Sequence, residues 1–280
     1  MLFAETSVPP LDRIADPTWQ WVVLTIAGAA YAVAVVAGLR EWRRTGKPVL
    51  VLALIGGAIA TLMEPMYDLM SRLYMFEKGA HLLFTVGGRG MQLWAPVGYG
   101  VYIGITVYVF YLLALSPKTT RKTYWLAVGA IMGMNLLIEI PATRLGLYEY
   151  YGPQAFNLTG FPLYWLLSNI TGAAAAGVLF AKAPQLINGV RVLTIVILVP
   201  SCFIAGEVFV QWPAFAAVSS EGSGYPVVYA GALVTIAIGV FALRTMARLV
   251  APNSGDLSAP SVTRQRQDGA ATPSATTAIR

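Results

Sequence analysis

Acidic side chains interrupt three apolar stretches of this chain. Glu64, Glu139 and Glu207 each follow an uncharged run of similar length, at residues 48–63, 123–138 and 192–206. Asp68 lies four residues after Glu64, so the two carboxyl groups share one helix face. An acidic side chain at the centre of a membrane helix costs roughly 2.5–3.5 kcal/mol on insertion scales. Three such costs at one depth predict that Glu64, Asp68, Glu139 and Glu207 are catalytic residues.

Polar and aromatic residues accompany these acids at helical spacing. Pairs four residues apart are Asn135 with Glu139, Trp165 with Asn169, and Glu207 with Gln211. If these faces converge, the helices enclose a polar pocket. The candidate substrate-binding residues near this pocket are Arg72, Arg89, Trp94, Asn135, Tyr150, Trp165 and Asn169. The alternative roles are interhelical hydrogen bonding for the amides, and interfacial contacts for the arginines and the aromatic residues.

Carboxyl groups in a dry pocket support acid–base chemistry without a cofactor. Low dielectric disfavours the charged form, so one of two neighbouring carboxyl groups can remain protonated. The pair then divides into a general acid and a base or stabiliser. Protonating a lipophilic substrate creates a cation, which aromatic faces stabilise. We expect Glu64 or Glu139 to be the acid, Asp68 or Glu207 the stabilising carboxylate, and Asn169 a positioning partner.

The composition places this chemistry in a membrane. Hydrophobic residues make up 57% of the 280 residues and charged residues only 11%, against about 25% charged in soluble domains. His81 is the single histidine and Cys202 the single cysteine, which excludes multi-histidine metal sites and an internal disulfide. The net charge is +6, but its cations lie between apolar runs. We therefore expect a bilayer and a lipophilic small molecule as partners, with no nucleic acid and no metal.

Seven apolar segments predict an all-α, polytopic membrane bundle of seven transmembrane helices. Residues 1–18 form an extracytoplasmic N-terminal segment, 19–250 the transmembrane domain and 251–280 a disordered cytoplasmic tail. The predicted helices are residues 19–39, 48–69, 93–115, 123–141, 161–181, 191–212 and 225–249.

Orientation follows from the basic residues. Most of the 19 Lys and Arg lie in alternate interhelical segments. The positive-inside rule then places the N-terminus outside and the C-terminus in the cytoplasm of a multi-pass cell-membrane protein. The long outer loops, 70–92 and 142–160, each follow a helix that carries an acid and a proline. Each loop leads to a tryptophan, Trp94 or Trp165. This weak internal similarity is consistent with a duplicated hairpin.

Several motifs resemble the AveC-type spirocyclase family of actinobacterial membrane proteins, and the resemblance spans about residues 20–250. The motifs are Glu64-Pro65-Met66-Tyr67-Asp68, Gly88-Arg89-Gly90-Met91-Gln92-Leu93-Trp94, Glu149-Tyr150-Tyr151-Gly152-Pro153-Gln154-Ala155-Phe156 and Phe161-Pro162-Leu163-Tyr164-Trp165. The resemblance implies an integral-membrane cyclase that shapes the spiroketal of a polyketide, an isomerase or lyase type of reaction. It transfers no catalytic residue.

Other functions compete with this one. A membrane terpenoid cyclase or carotenoid hydratase would use the same cation chemistry on an isoprenoid. A transporter is a different class, because intramembrane acids also mark ion paths. The inner halves of the helices are almost purely apolar, which favours a pocket with one mouth. A non-catalytic lipid-binding protein is the third alternative.

Overall fold

A computed structural model describes residues 8–220 and 224–252 as a mostly helical chain. The predicted tail, from residue 253 onward, and residues 1–7 lie outside the described residues. The eight α-helices within the described ranges are α1 (Pro17–Thr45), α2 (Val49–Ala60), α3 (Glu64–Ser71), α4 (Ala95–Leu115), α5 (Arg121–Arg144), α6 (Trp165–Lys182), α7 (Thr194–Ser219) and α8 (Tyr225–Val250).

Six helical segments in the described chain are long and apolar enough to cross a membrane. They are Pro17–Thr45, Val49–Ser71, Ala95–Leu115, Arg121–Arg144, Gly189–Ser219 and Tyr225–Val250. This confirms a helical membrane protein. The remaining predicted segment corresponds to α6, which has 18 residues and carries Ser168, Asn169 and Thr171. Most residues of α6 are buried, because it packs against α4, α5, α7 and α8.

Two ends of the bundle differ in their connections. At one end, here called the basic end, the helix ends and their short connections carry Arg43, Arg44, Lys118, Arg121 and Lys182. At the other, here called the capped end, six short strands lie in the two long loops. The strands are β1 (Leu73–Met75), β2 (Leu82–Val86), β3 (Arg89–Gln92), β4 (Tyr148–Tyr150), β5 (Asn157–Leu158) and β6 (Phe161–Pro162). The strands form the antiparallel pairs β1–β4, β2–β3 and β5–β6, which an all-α prediction leaves out.

Several helix boundaries differ from the prediction. The predicted ends of the first and sixth helices at residues 39 and 212 are wrong, since α1 continues to Thr45 and α7 to Ser219. Three further differences lie near prolines. A 3₁₀ turn at Thr61–Met63 interrupts the second segment, and α3 then begins at Glu64 with Pro65 in its first turn. Proline is tolerated there because the first-turn N–H has no helical acceptor. The predicted end of α5 at Pro141 is wrong, since the helix continues to Arg144. The predicted start of α6 at Phe161 is also wrong, because Phe161–Pro162 forms strand β6.

Glycines bring the acid-bearing helices into close contact with their neighbours. A Cβ on Gly172 of α6 or Gly206 of α7 would collide with the backbone of the other helix. A Cβ on Gly104 of α4 would lie 2.7 Å from the Leu54 Cα of α2. Small residues at such crossings let membrane helices pack at short range. The first contact places Glu207, which follows Gly206, beside α6, and the second holds α2, which leads into α3 and Glu64, against α4.

Candidate active site

The three glutamates line one cavity of about 460 Å³ in the capped half of the bundle. Each interacts electrostatically with another, Glu64 with Glu139 and Glu207 with both. The predicted convergence of their faces is therefore confirmed. Cavities of this size hold small-molecule ligands. Two hydrophobic clusters, around Val107 and around Phe110, fill the interior between this cavity and the basic end.

Glu139 accepts hydrogen bonds from two phenols on strand β4. The Tyr148 hydroxyl lies 2.7 Å and the Tyr150 hydroxyl 3.3 Å from its Oε2 atom. The two tyrosines reach the same acid because alternate residues of a strand share one face. Burial, reinforced by the charge of Glu139, raises the pKa of both phenols well above 10. They therefore remain neutral hydrogen-bond donors at physiological pH.

An amide chain continues from Glu139 across the cavity. Asn135, one turn earlier on α5, is a hydrogen-bond partner of the Glu139 carboxyl group. The Asn169 Nδ2 atom of α6 donates to the Asn135 Oδ1 atom at 3.1 Å. Both asparagines and Tyr150 line the cavity, as predicted. This chain ties α6 to α5 at the depth of the acids.

Glu64 has a different environment, which includes a second carboxyl group. The Tyr99 hydroxyl of α4 donates to the Glu64 Oε2 atom. Asp68, one turn further along α3, is buried and interacts electrostatically with Glu64 and with Arg89. Neither Asp68 oxygen has a hydrogen-bond partner among the described residues, and Asp68 does not line the cavity.

Glu207 is buried on α7 beside two phenols that the sequence analysis did not identify. Its carboxyl group interacts with the side chain of Ser168 on α6, whose hydroxyl donates to the Trp165 carbonyl oxygen at 3.0 Å. The Tyr67 and Tyr102 side chains line the cavity and interact electrostatically with Glu207. Both hydroxyl oxygens are almost completely buried, and neither has a hydrogen-bond partner within the described residues.

Aromatic rings form much of the remaining wall. Trp94 and Trp165 line the cavity, as predicted, and their ring centroids lie 6.5 Å from Tyr148 and 6.4 Å from Tyr150, respectively. Tyr99 and Tyr102 also line it, and their spacing of three residues on α4 was the available signal. The prediction includes only aromatic residues near the membrane interface, and it omits these two buried tyrosines.

Two predicted substrate-binding residues lie outside the cavity. Arg89 is buried, with its Nη2 atom 2.8 Å from the Tyr151 hydroxyl and its guanidinium 5.2 Å from the Tyr74 ring centroid. Arg72 ends α3 in a left-handed conformation, and its side chain lies against Gly152. Both arginines contact the capping loops, since the β1–β4 pairing draws those loops over α3. Neither arginine lines the cavity, where both were predicted to bind substrate.

Buried glutamine side chains hold the capping loops in place. The Gln92 Nε2 atom donates to the carbonyl oxygens of Phe76 and Leu147, at 2.9 and 3.1 Å. Its Oε1 atom accepts from the Trp94 indole N–H. Gln92 thereby joins both loops to the tryptophan of the cavity wall.

Comparisons with protein-family models, with curated proteins and with solved structures find no match to this chain. Among the described residues, no group of three or more His, Cys, Asp and Glu side chains is placed to hold a metal ion. The chemistry of the cavity is therefore argued from its own residues.

Proposed function

We propose that this chain is an integral-membrane enzyme that uses its buried carboxyl groups for an acid-initiated cyclisation or dehydration of a lipophilic substrate. The observation that carries the proposal is the lining of the cavity. Carboxyl groups from three helices, the phenols of Tyr67, Tyr99, Tyr102, Tyr148 and Tyr150, and the amides of Asn135 and Asn169 line a space whose remaining wall is mostly apolar. Proton donors, proton acceptors and aromatic faces are the groups that cationic chemistry requires.

The surroundings of the acids favour distinct roles. Glu64 lines the cavity and interacts electrostatically with the buried carboxyl group of Asp68. Repulsion between two negative charges in a dry site favours a proton on one of them. Glu64 is therefore suited to act as the general acid, with Asp68 acting through it. Glu139 accepts from two phenols, an arrangement suited to a base or to an anion that stabilises a cation.

The resemblance to the AveC-type family narrows the reaction to spiroketal closure. A hemiketal hydroxyl accepts the proton of Glu64 and leaves as water, which forms an oxocarbenium ion. An internal hydroxyl of the substrate then attacks this cation, and its proton passes to a cavity carboxylate. The proton count is restored, and one water molecule is released.

We further propose that all seven helical segments cross the cell membrane, with the N-terminus outside. The support is the alternation of the chain between the capped and the basic end. In this arrangement α6 is a spanning helix that neighbouring helices shield from lipid, which permits its polar residues. The hydrophobic clusters between the cavity and the basic end support a closed pocket and argue against a transport path across the membrane.

The experiment compares membranes that contain the native chain, Glu64→Gln or Glu149→Gln. Glu149 is the matched control, since it lies at the capped end but faces away from the cavity, 3.7 Å from Arg13. The substrates are a long-chain dihydroxyketone and, for the isoprenoid alternative, lycopene; mass spectrometry detects loss or gain of water. We expect the dihydroxyketone product with the native chain and Glu149→Gln but not with Glu64→Gln. Full turnover by Glu64→Gln would refute the proposed acid.

A further inference from the structure

The wall of the cavity is incomplete between α1 and α5. α1 packs against α2 and α4, and α5 packs against α4, α6 and α8, whereas α1 and α5 are not packed along each other. Both helices nevertheless contribute cavity-lining residues. Those of α1 are Trp19, Val22, Val23, Ile26, Ala27 and Ala30, and those of α5 include Asn135, Leu137, Ile138, Glu139, Pro141 and Ala142.

Several of these lining residues also face the outside of the bundle. Ile26 is 65% exposed, Leu137 78% and Ile138 44%, although all three line the cavity. A residue that lines a cavity and is also exposed stands at its opening. All three side chains are aliphatic. The opening is thus apolar, whereas the carboxyl groups lie deeper in the cavity.

The opening lies at the depth of the hydrocarbon core. At about 1.5 Å per residue, Ile26 is roughly 13 Å from the start of α1, and Leu137 is roughly 10 Å from the end of α5. On the capped side, Val23 and Leu24 of α1 pack with Ala142 and Leu147 in one cluster. This cluster separates the opening from the water above the capping loops. A molecule in the opening therefore meets lipid chains.

We propose that the substrate is a membrane-dissolved molecule with an apolar tail, which enters sideways between α1 and α5. Its polar end reaches Glu64 and Glu139, and its tail remains beside Ile26 and Leu137. A shallow groove along α1, which shares Val22 and Ile26 with the cavity, extends the space for that tail. That the entering molecule reacts at the acids rests on the proposed function, whereas the entry route between α1 and α5 does not.

Thiol modification tests the route without any turnover. Val101 lines the cavity on α4, so Val101→Cys in a Cys202→Ala background places one thiol inside it. The protein is reconstituted in vesicles of phosphatidylcholine and phosphatidylglycerol. The thiol is then exposed to lipid-soluble benzyl methanethiosulfonate or to charged, membrane-impermeant sulfonatoethyl methanethiosulfonate. Ala30→Trp fills the opening, and Ala29→Trp is the matched control, exposed on α1 but outside the cavity lining.

We expect the benzyl reagent to modify the thiol and the charged reagent to leave it unmodified. Ala30→Trp should abolish modification by the benzyl reagent, whereas Ala29→Trp should not. Equal reaction with both reagents, reaction with neither, or no effect of Ala30→Trp would each overturn the lateral route. A Glu64→Gln protein that lacks turnover but keeps this labelling pattern would separate failure of the acid from failure of the route.

Discussion

The two long loops at the capped end are built in the same order from different side chains. The first region, residues 64–94, runs from Glu64 through β1 and the β2–β3 hairpin to Trp94. The second region, residues 139–165, runs from Glu139 through β4 and the β5–β6 hairpin to Trp165. Strands β1 and β4 pair with each other, and both glutamates and both tryptophans line the cavity. This common order supports a duplicated hairpin.

The two regions differ at the position one turn beyond the acid. Asp68 follows Glu64, whereas Thr143 follows Glu139 and uses its hydroxyl to bond the Glu139 carbonyl oxygen at 3.1 Å. Glu64 thus has a second carboxyl group one turn away and accepts from one phenol, that of Tyr99 on α4, whereas Glu139 accepts from two phenols of its own region. The two similar loops therefore place Glu64 and Glu139 in different environments. Acid–base catalysis requires two carboxyl groups whose environments separate their pKa values.

The largest expected effect is the contrast between Glu64→Gln and Glu139→Gln. General acid catalysis contributes about 10²- to 10⁴-fold, so Glu64→Gln should lower product formation by that factor. Glu139→Gln keeps an acceptor for both phenols and should lower it less. Initial rates in membranes measure the difference. If Glu139→Gln lowers the rate more than Glu64→Gln does, Glu139 is the general acid and Glu64 the stabilising carboxylate.

Stability provides the next contrast, between Gln92→Leu and Gln154→Leu. Gln92 satisfies two backbone carbonyls, and Gln154 bonds the Ser71 and Tyr151 carbonyls while accepting from Tyr164. A buried group left unsatisfied costs about 1–3 kcal/mol, so each variant should lose roughly 2–4 kcal/mol. The thermal unfolding temperature in detergent tests this. If only one variant has a lower unfolding temperature, only that glutamine stabilises the capping loops.

Asp68→Asn and Thr143→Val test the position one turn beyond each acid. Removing the second carboxyl group should change the shape of the pH–rate profile and lower product formation about tenfold, equivalent to about 1.4 kcal/mol. Thr143→Val should leave the profile unchanged, because it removes only a bond to a backbone carbonyl. The same change of profile in both variants would contradict the assigned role of Asp68.

The smallest expected effects come from Tyr148→Phe and Tyr150→Phe. Each removes one hydrogen bond to Glu139, worth about 1 kcal/mol or roughly a fivefold change in rate. Tyr148 should matter more, since its hydroxyl lies at 2.7 Å and that of Tyr150 at 3.3 Å. Relative rates measure the order. Equal rates for both variants and the native chain would show that the phenols are structural.

Much of this arrangement was predictable from local pattern. Uncharged runs of similar length placed Glu64, Glu139 and Glu207 at one depth, and spacing by four paired Asn135 with Glu139. The roles of the arginines were not predictable. The pairing of β1 with β4, which are distant in sequence, places the Arg89 side chain between Tyr74 and Tyr151.

The sequence by itself determined which segments are apolar helices and how deep each acid lies, because hydropathy and rise per residue are local properties. Only the tertiary structure decided that the acids share a cavity, that buried tyrosines join them, and that the wall opens between α1 and α5. A helical pattern defines a face relative to its own axis. The rotation of that axis against its neighbours depends on packing between residues far apart in the chain.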